Sequence, residues 1–308
     1  MSANKASPVP SPQSLLPFTS YLLPSGAVLD FSGPALVMAI VNCNDDSFYA
    51  PSRALGEKAV EMALAAESDG AAIVDFGAES SRPGSSYINE EQELERLIPV
   101  ISAFRKRSSL PVSVDTRKAA VARQALDAGA DIINDISGLT DDAGMAAVCA
   151  ERGAAVVLVH KKGIPLTMQE NPVYENLHAE LASFFREAVG RAIEAGISPG
   201  KIIIDPGIGF GKSTEDNLEI LSDLYQLAEI FWKVYPLLVG VSRKGFIGEI
   251  MKNWGSSRHP APSTEEKLLT GTLAVNRGAI MCGADIIRVH DVKEHVKLAK
   301  TLFNLSVS

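Results

Sequence analysis

The chain has 308 residues, of which 46% are hydrophobic and 21% charged, and its mean hydropathy is +0.10. These values exclude a disordered polyelectrolyte, and the lack of an apolar run of about 18 residues excludes an ordinary transmembrane helix. The formal net charge of −8 lacks the basic footprint of a general nucleic-acid binder.

Met1 to Pro24 is rich in proline and serine and has no long apolar core followed by a cleavage site, so it reads as a disordered tail rather than a signal peptide. Residues 21–34 suggest a short hairpin closing the bottom of the fold. Residues 1–34 are therefore set apart as tail and hairpin, and 35–304 as one domain. From residue 35 onward, helical segments end in a small residue plus glycine, and an apolar strand follows. The junctions Asp69-Gly70-Ala71, Ala128-Gly129-Ala130, Arg152-Gly153-Ala154 and Cys282-Gly283-Ala284 show the pattern. Glycine just past a helix closes the last turn in the left-handed conformation, and continuous Val/Ile runs mark strands buried on both faces.

Eight strands are predicted in this way: Ala35–Val41, Ala72–Gly77, Val112–Asp115, Ile132–Ile136, Ala155–His160, Ile202–Asp205, Leu237–Val241 and Ile286–His290. The helices between them are Ala54–Ser68, Glu90–Arg107, Lys118–Ala128, Ala143–Arg152, Leu177–Ala195, Asn217–Trp232, Glu265–Cys282 and Lys293–Phe303. Eight β-then-α units in about 270 residues are the count of a single-domain α/β (β/α)8 TIM barrel. A doubly wound open sheet shares the alternation. Cys43, Cys149 and Cys282 match no zinc or CxxC spacing and read as reduced thiols of a cytoplasmic protein.

All eight strands end in polar or ionisable groups: Asn42, Asp75 to Arg82, Asp115, Asn134-Asp135, His160, Asp205, Ser242-Arg243-Lys244, and Arg288 with His290. Barrel active sites lie at such C-terminal strand ends. Arg288 and His290, two apart, share one strand face and suit an anion, as do Ser81-Arg82 and Ser242-Arg243-Lys244. Asp115, Asn134 and Asp205 suit the N–H edge of a planar nitrogen heterocycle. Gly207-Ile208-Gly209-Phe210-Gly211-Lys212-Ser213 fails the spacing of both the P-loop and the dinucleotide fingerprint, and reads as a flexible loop beside Asp205.

These motifs, in this order, resemble the bacterial dihydropteroate synthases, a family of pterin-binding enzymes. The resemblance runs from about Leu36 to Phe303. It rests on Asn42 with Asp46-Ser47-Phe48, Glu79-Ser80-Ser81-Arg82-Pro83-Gly84, Ser113-Val114-Asp115-Thr116 and Ile133-Asn134-Asp135-Ile136. Gly163-Ile164-Pro165-Leu166-Thr167-Met168-Gln169, Asp205 to Lys212, Ser242-Arg243-Lys244-Gly245-Phe246 and Arg288-Val289-His290-Asp291-Val292 continue it.

The resemblance implies a transferase of folate biosynthesis, and a sulfonamide target, that joins 6-hydroxymethyl-7,8-dihydropterin pyrophosphate to 4-aminobenzoate. It implies pterin contacts by Asp115, Asn134, Asp205 and Lys244. Pyrophosphate contacts are implied for Asn42, Ser81, Arg82, Arg288 and His290, and 4-aminobenzoate contacts for Ser81, Phe210, Ser242 and Lys244. The catalytic set is Asp115, Lys244, Arg288 and His290. Asn42 is implied as a ligand of Mg²⁺, and the family's usual homodimer is expected, with neither nucleic acid nor membrane as partner. Two other readings are a corrinoid-type pterin-binding methyltransferase and a catalytically weak pterin-binding homologue. The sequence departs from the family pattern at Asn44 and Asp45, which replace Thr and Pro, at Ala78 for a second Gly, at Ser81 for Thr, and at Lys161-Lys162.

Overall fold

The computed structural model describes residues 19–43, 52–79, 88–163, 168, 172–225, 234–254 and 261–306. Ser20–Leu22 (β1) and Val28–Asp30 (β2) pair antiparallel. Eight further strands follow: Leu36–Asn42 (β3), Ile73–Gly77 (β4), Val112–Asp115 (β5), Ile132–Asp135 (β6), Ala155–Val159 (β7), Ile202–Asp205 (β8), Leu238–Val239 (β9) and Ile286–Val289 (β10). All eight are parallel, in the order β8-β7-β6-β5-β4-β3-β10-β9. A parallel bridge between Ile204 and Leu237 joins the two ends of that order, which closes the barrel and excludes the open sheet.

Closure divides each strand's side chains into two sets. The inward set includes Met38, Ile73, Ile132, Ala155, Val157, Ile203, Leu238 and Ile286, which pack as one cluster. The outward set, including Val37, Val74, Val114, Ile133, Val156 and Ile287, packs under the helices. Both sets are apolar, which is why the strands read as continuous runs. The β1–β2 hairpin joins the inner cluster through Tyr21, Leu23 and Leu29, and the Tyr21 hydroxyl donates to the Ile202 carbonyl at 2.8 Å. It therefore plugs the end of the barrel opposite the polar strand ends; residues 1–18 of the expected tail lie outside the described residues. Gly70, Gly129, Gly153 and Gly283 take φ of +97°, +110°, +62° and +88°, the left-handed closure expected at those junctions.

The helices follow the predicted pattern with one substantial correction. The expected helix Asn217–Trp232 instead starts at Thr214 and is interrupted after Ser222, with Asp223 as C-cap; Leu224 and Tyr225 are helical again, and residues 226–233 lie outside the described residues. Its start is set by a capping box: the Ser213 side chain accepts from Asp216 N and the Asp216 side chain from Ser213 N. Ser213→Ala is expected to cost about 1 kcal/mol of stability, read by chemical denaturation. A short helix at Gly245–Ile250, directly after the last polar turn, was also missed. Among the described residues no helix is long and apolar enough to cross a membrane, and all three cysteines are free.

Candidate active site

The strands deliver a group of charged side chains to the inside of the barrel's open end. Asp75 on β4 is fully buried, between the outward-facing Val74 and Phe76. Arg288 on β10 donates from Nε to Asp75 Oδ2 at 2.6 Å and from Nη2 to Asp115 Oδ2 on β5 at 2.9 Å. Asn134, the register partner of Asp115, donates from Nδ2 to Asp75 Oδ2 at 3.3 Å. One guanidinium thus ties two carboxylates, with an amide completing the group. Burial, together with Asp75, Glu93 and Glu79, raises the Asp115 carboxyl to about 7 against the opposing pull of Arg288.

Two glycines leave the space around this group open. A Cβ on Gly77 would lie 3.5 Å from Asp115 Cβ. One on Gly240 would lie 3.8 Å from Arg288 Cβ and 3.9 Å from Asp205 Oδ2, so Asp205 and Arg288 flank the same gap. Asp205 is buried and accepts from Gly207 N at 2.7 Å; burial raises its pKa. Lys244 donates from Nζ to the Ile208 carbonyl, and the same ammonium lies 4.4 Å from the centre of the Phe210 ring. Burial lowers Lys244 to about 8, although Asp205 and Asp115 pull the other way.

Ser242 and His290 are directly joined, Ser242 Oγ to His290 Nδ1 at 3.0 Å, with His290 N donating to Ser242 Oγ at 3.2 Å. The residues expected for the aminobenzoate and pyrophosphate subsites therefore meet at one point. The turn that places Ser242 and Lys244 leaves Arg243 at φ +58°, a strained conformation for a non-glycine residue. Its side chain points away from the mouth: Nε bonds Asp291 at 3.1 Å, with Glu265 nearby. Arg243 is thus corrected from a cation of the mouth to a surface ion pair. Asn42 ends β3 with its side chain exposed. Ser81, Arg82, Asn44, Asp45 and Asp46 to Phe48 lie outside the described residues.

The glycine-rich segment after β8 is tied down rather than loose. At φ +67°, a Cβ on Gly207 would lie 1.8 Å from the His160 carbonyl oxygen; at φ +64°, one on Gly211 would lie 2.0 Å from that of Lys162. Two loops lie backbone against backbone, an approach that only glycine permits. Lys212, 1% exposed, fastens them, with Nζ 2.8 Å from His160 Nδ1, 3.0 Å from the Gly207 carbonyl and 3.2 Å from that of Phe210. Burial and the neighbouring Lys212 lower the pKa of His160 and keep it neutral.

A chain of ion pairs runs along the rim. Lys118 bonds Glu79 at 2.9 Å and also Glu93; Arg117 bonds Glu79 at 3.3 Å and reaches Asp141 at 3.8 Å; Lys161 bonds Asp141 at 2.6 Å. Ile88 N donates to Glu79 Oε2 at 3.2 Å, so Glu79 joins the two flanks of residues 80–87. Lys161 and Lys162 are both paired, Lys162 with Glu180 at 2.8 Å. The sequence places Asp75 among the polar strand ends without marking a specific role for it, and marks none for Glu79 or Lys212. For Asp75 the signal was a carboxylate inside an apolar strand, on the same alternating face as Ile73.

The pattern of the pterin binding enzyme family matches residues 38–290. The dihydropteroate synthase of Synechocystis sp. is 41% identical over 280 residues, 90% of this chain and 93% of that protein. That of Escherichia coli is 41% identical over 283 residues, 91% of this chain and 95% of its own. Among solved structures, Yersinia pestis dihydropteroate synthase with a sulfonamide drug superposes with a TM-score of 0.82 at 37% identity, covering 92% of this chain and 98% of that one. The Xanthomonas albilineans enzyme with 4-aminobenzoic acid gives 0.82 at 35% identity, covering 94% and 99%. The same enzyme with 7,8-dihydropteroate gives 0.79 at 33%, covering 94% and 100%. The chain belongs to the pterin-binding enzyme family, and within it to the dihydropteroate synthases.

Proposed function

We propose that this barrel joins 6-hydroxymethyl-7,8-dihydropterin pyrophosphate to 4-aminobenzoate, releasing pyrophosphate and forming 7,8-dihydropteroate. The observation that carries the reading is the convergence of Asp115, Asn134, Asp205, Lys244 and Arg288 on one apolar-walled mouth. The pterin ring offers adjacent N–H donors, which the Asp205 carboxylate accepts in parallel while Asn134 supplies both a donor and an acceptor. The bond from the pterin methylene to oxygen breaks, and pyrophosphate leaves with the electron pair. The methylene is left cationic and delocalised into the ring, where the negative charge of Asp115 stabilises it. The amine of 4-aminobenzoate attacks with its lone pair and then loses one proton to water. No strong base is needed, so catalysis consists of electrostatic stabilisation and positioning.

His290, Asn42, Ser81 and Arg82 are assigned to the pyrophosphate, together with Arg288, two of whose N–H groups are already taken by carboxylates. Ser242, Ser81, Phe210 and Lys244 are assigned to the aminobenzoate. Mg²⁺ favours a few protein oxygens completed by water and substrate phosphates, and the exposed Asn42 amide at the end of β3 fits one such ligand. When bound, the ion supplies positive charge toward the leaving pyrophosphate. The exposed Met281 and Leu305 support a homodimer through the C-terminal helices, and the free thiols fit the cytoplasm.

The test is pyrophosphate release from the pterin substrate with Mg²⁺, with and without 4-aminobenzoate. Aminobenzoate-dependent turnover is expected; pterin binding without it would overturn the reading in favour of a non-catalytic pterin binder. Methyl transfer to a corrinoid in place of that turnover would favour the methyltransferase. The active form has Asp115 ionised and Lys244 protonated. Therefore kcat/KM is expected to rise with pH through about 7 and fall again through about 8, a narrow bell.

A further inference from the structure

We propose that Asp75 is a positioning residue of this reaction, holding Arg288 and Asn134 in fixed orientation beneath the substrate and leaving Asp115 its uncompensated negative charge. The proposal rests on the function assigned above and adds to it a residue from the barrel interior. Asp75 Oδ2 receives both Arg288 Nε and Asn134 Nδ2, so a single oxygen sets the plane of a guanidinium and of an amide from two other strands. Arg288 is held at a second point by Asp115, and a planar group fixed at two of its edges cannot rotate.

The charges favour the same role. One guanidinium facing two carboxylates leaves the group with a net negative charge. With Arg288 and Asp115 alone the pair would cancel; Asp75 restores one negative charge to this group, while Lys244 and Asp205 at the same mouth offset each other. Asp75 is 0% exposed, and its Oδ1 has no hydrogen-bond partner among the described residues, nor do the neighbouring Ser113 Oγ and Asn134 Oδ1. A buried carboxylate with half its acceptors unmet is costly for stability alone, and such a cost is characteristic of groups kept for function. The charged groups facing Asp115 are Arg288, Asp75, Glu93, Glu79 and Lys244.

The decisive variant is Asp75→Asn, which keeps the shape and removes the charge. For folded protein of wild-type far-UV circular dichroism, kcat is expected to fall about tenfold with the pterin KM changed far less. The acid limb of the pH profile should move below about 7, because one of the charges raising Asp115 is gone. In an Arg288→Lys background the same substitution should have much less effect, since Asp75 acts through Arg288. An unmoved acid limb, or additive losses in the double variant, would overturn the proposal. If Asp75→Asn does not fold, Asp75→Glu serves: its charge keeps the acid limb in place while displaced geometry lowers kcat, and a shifted limb or an unchanged kcat would count against the role. Wild-type turnover with none of these effects refutes this inference alone; absent wild-type turnover refutes the function on which it rests.

Discussion

Asp115→Asn is expected to lower kcat by about tenfold or more and to remove the acid limb of the pH profile. The asparagine keeps the side chain's size and can still accept from Arg288 Nη2, so the barrel closes as before. It cannot carry the charge that the proposed mechanism sets against the cationic methylene, so the loss is expected to fall on the transition state and to appear in kcat as much as in kcat/KM. Burial and the carboxylates of Asp75, Glu93 and Glu79 hold Asp115 near 7, and the proposed mechanism uses only its ionised form. The wild-type rate therefore drops as pH falls through that value, and the variant, with nothing to titrate there, does not. Steady-state kinetics across pH 5.5–8 read both effects, and near-wild-type turnover would remove the charge-stabilising role.

Lys212→Ala has the largest expected effect on stability, about 3–5 kcal/mol in chemical denaturation. The substitution empties the space of a long side chain that is 1% exposed, and it leaves His160 Nδ1 without its hydrogen-bond partner. Lys212→Met refills most of the volume without the donor, so the difference between the two variants separates packing from hydrogen bonding. Both variants also loosen the junction that seats Phe210 and Lys244, because the Lys212 ammonium holds the Phe210 carbonyl and the Phe210 ring lies under Lys244. The KM for 4-aminobenzoate is expected to rise in the fraction that remains folded. A loss below about 1 kcal/mol for Lys212→Ala would show that the two loops hold together by their glycines alone.

The two substitutions differ in how visible their residues were. Asp115 stands at the end of a recognisable strand, directly after Val112-Ser113-Val114, and a barrel places its chemistry at such ends. Lys212 sits in a glycine-rich segment that looks like a spacer. Its role depends on the carbonyls of His160 and Gly207, on two separate loops. The rim departures at Lys161 and Lys162 show the same limit: as sequence they add two cations near the mouth, yet each is paired, with Asp141 and Glu180. Arg243 is a sharper case, since Ser242 bonds His290 and Lys244 lies over the Phe210 ring while Arg243 between them pairs with Asp291.

What the sequence determined by itself was the periodic frame: eight apolar strands, the glycines that end the helices, the polar strand ends, and the family to which their order belongs. These are local properties, written in runs of neighbouring residues, and hydrophobic burial on both faces of a parallel sheet leaves little choice among folds. Which polar groups meet was settled by closure of the barrel instead. Asp75, Asp115, Asn134 and Arg288 come from four strands, and 213 residues of chain separate Asp75 from Arg288. Barrel closure brings them within hydrogen-bond distance, and burial away from water makes the resulting charge imbalance strong enough to act on a substrate.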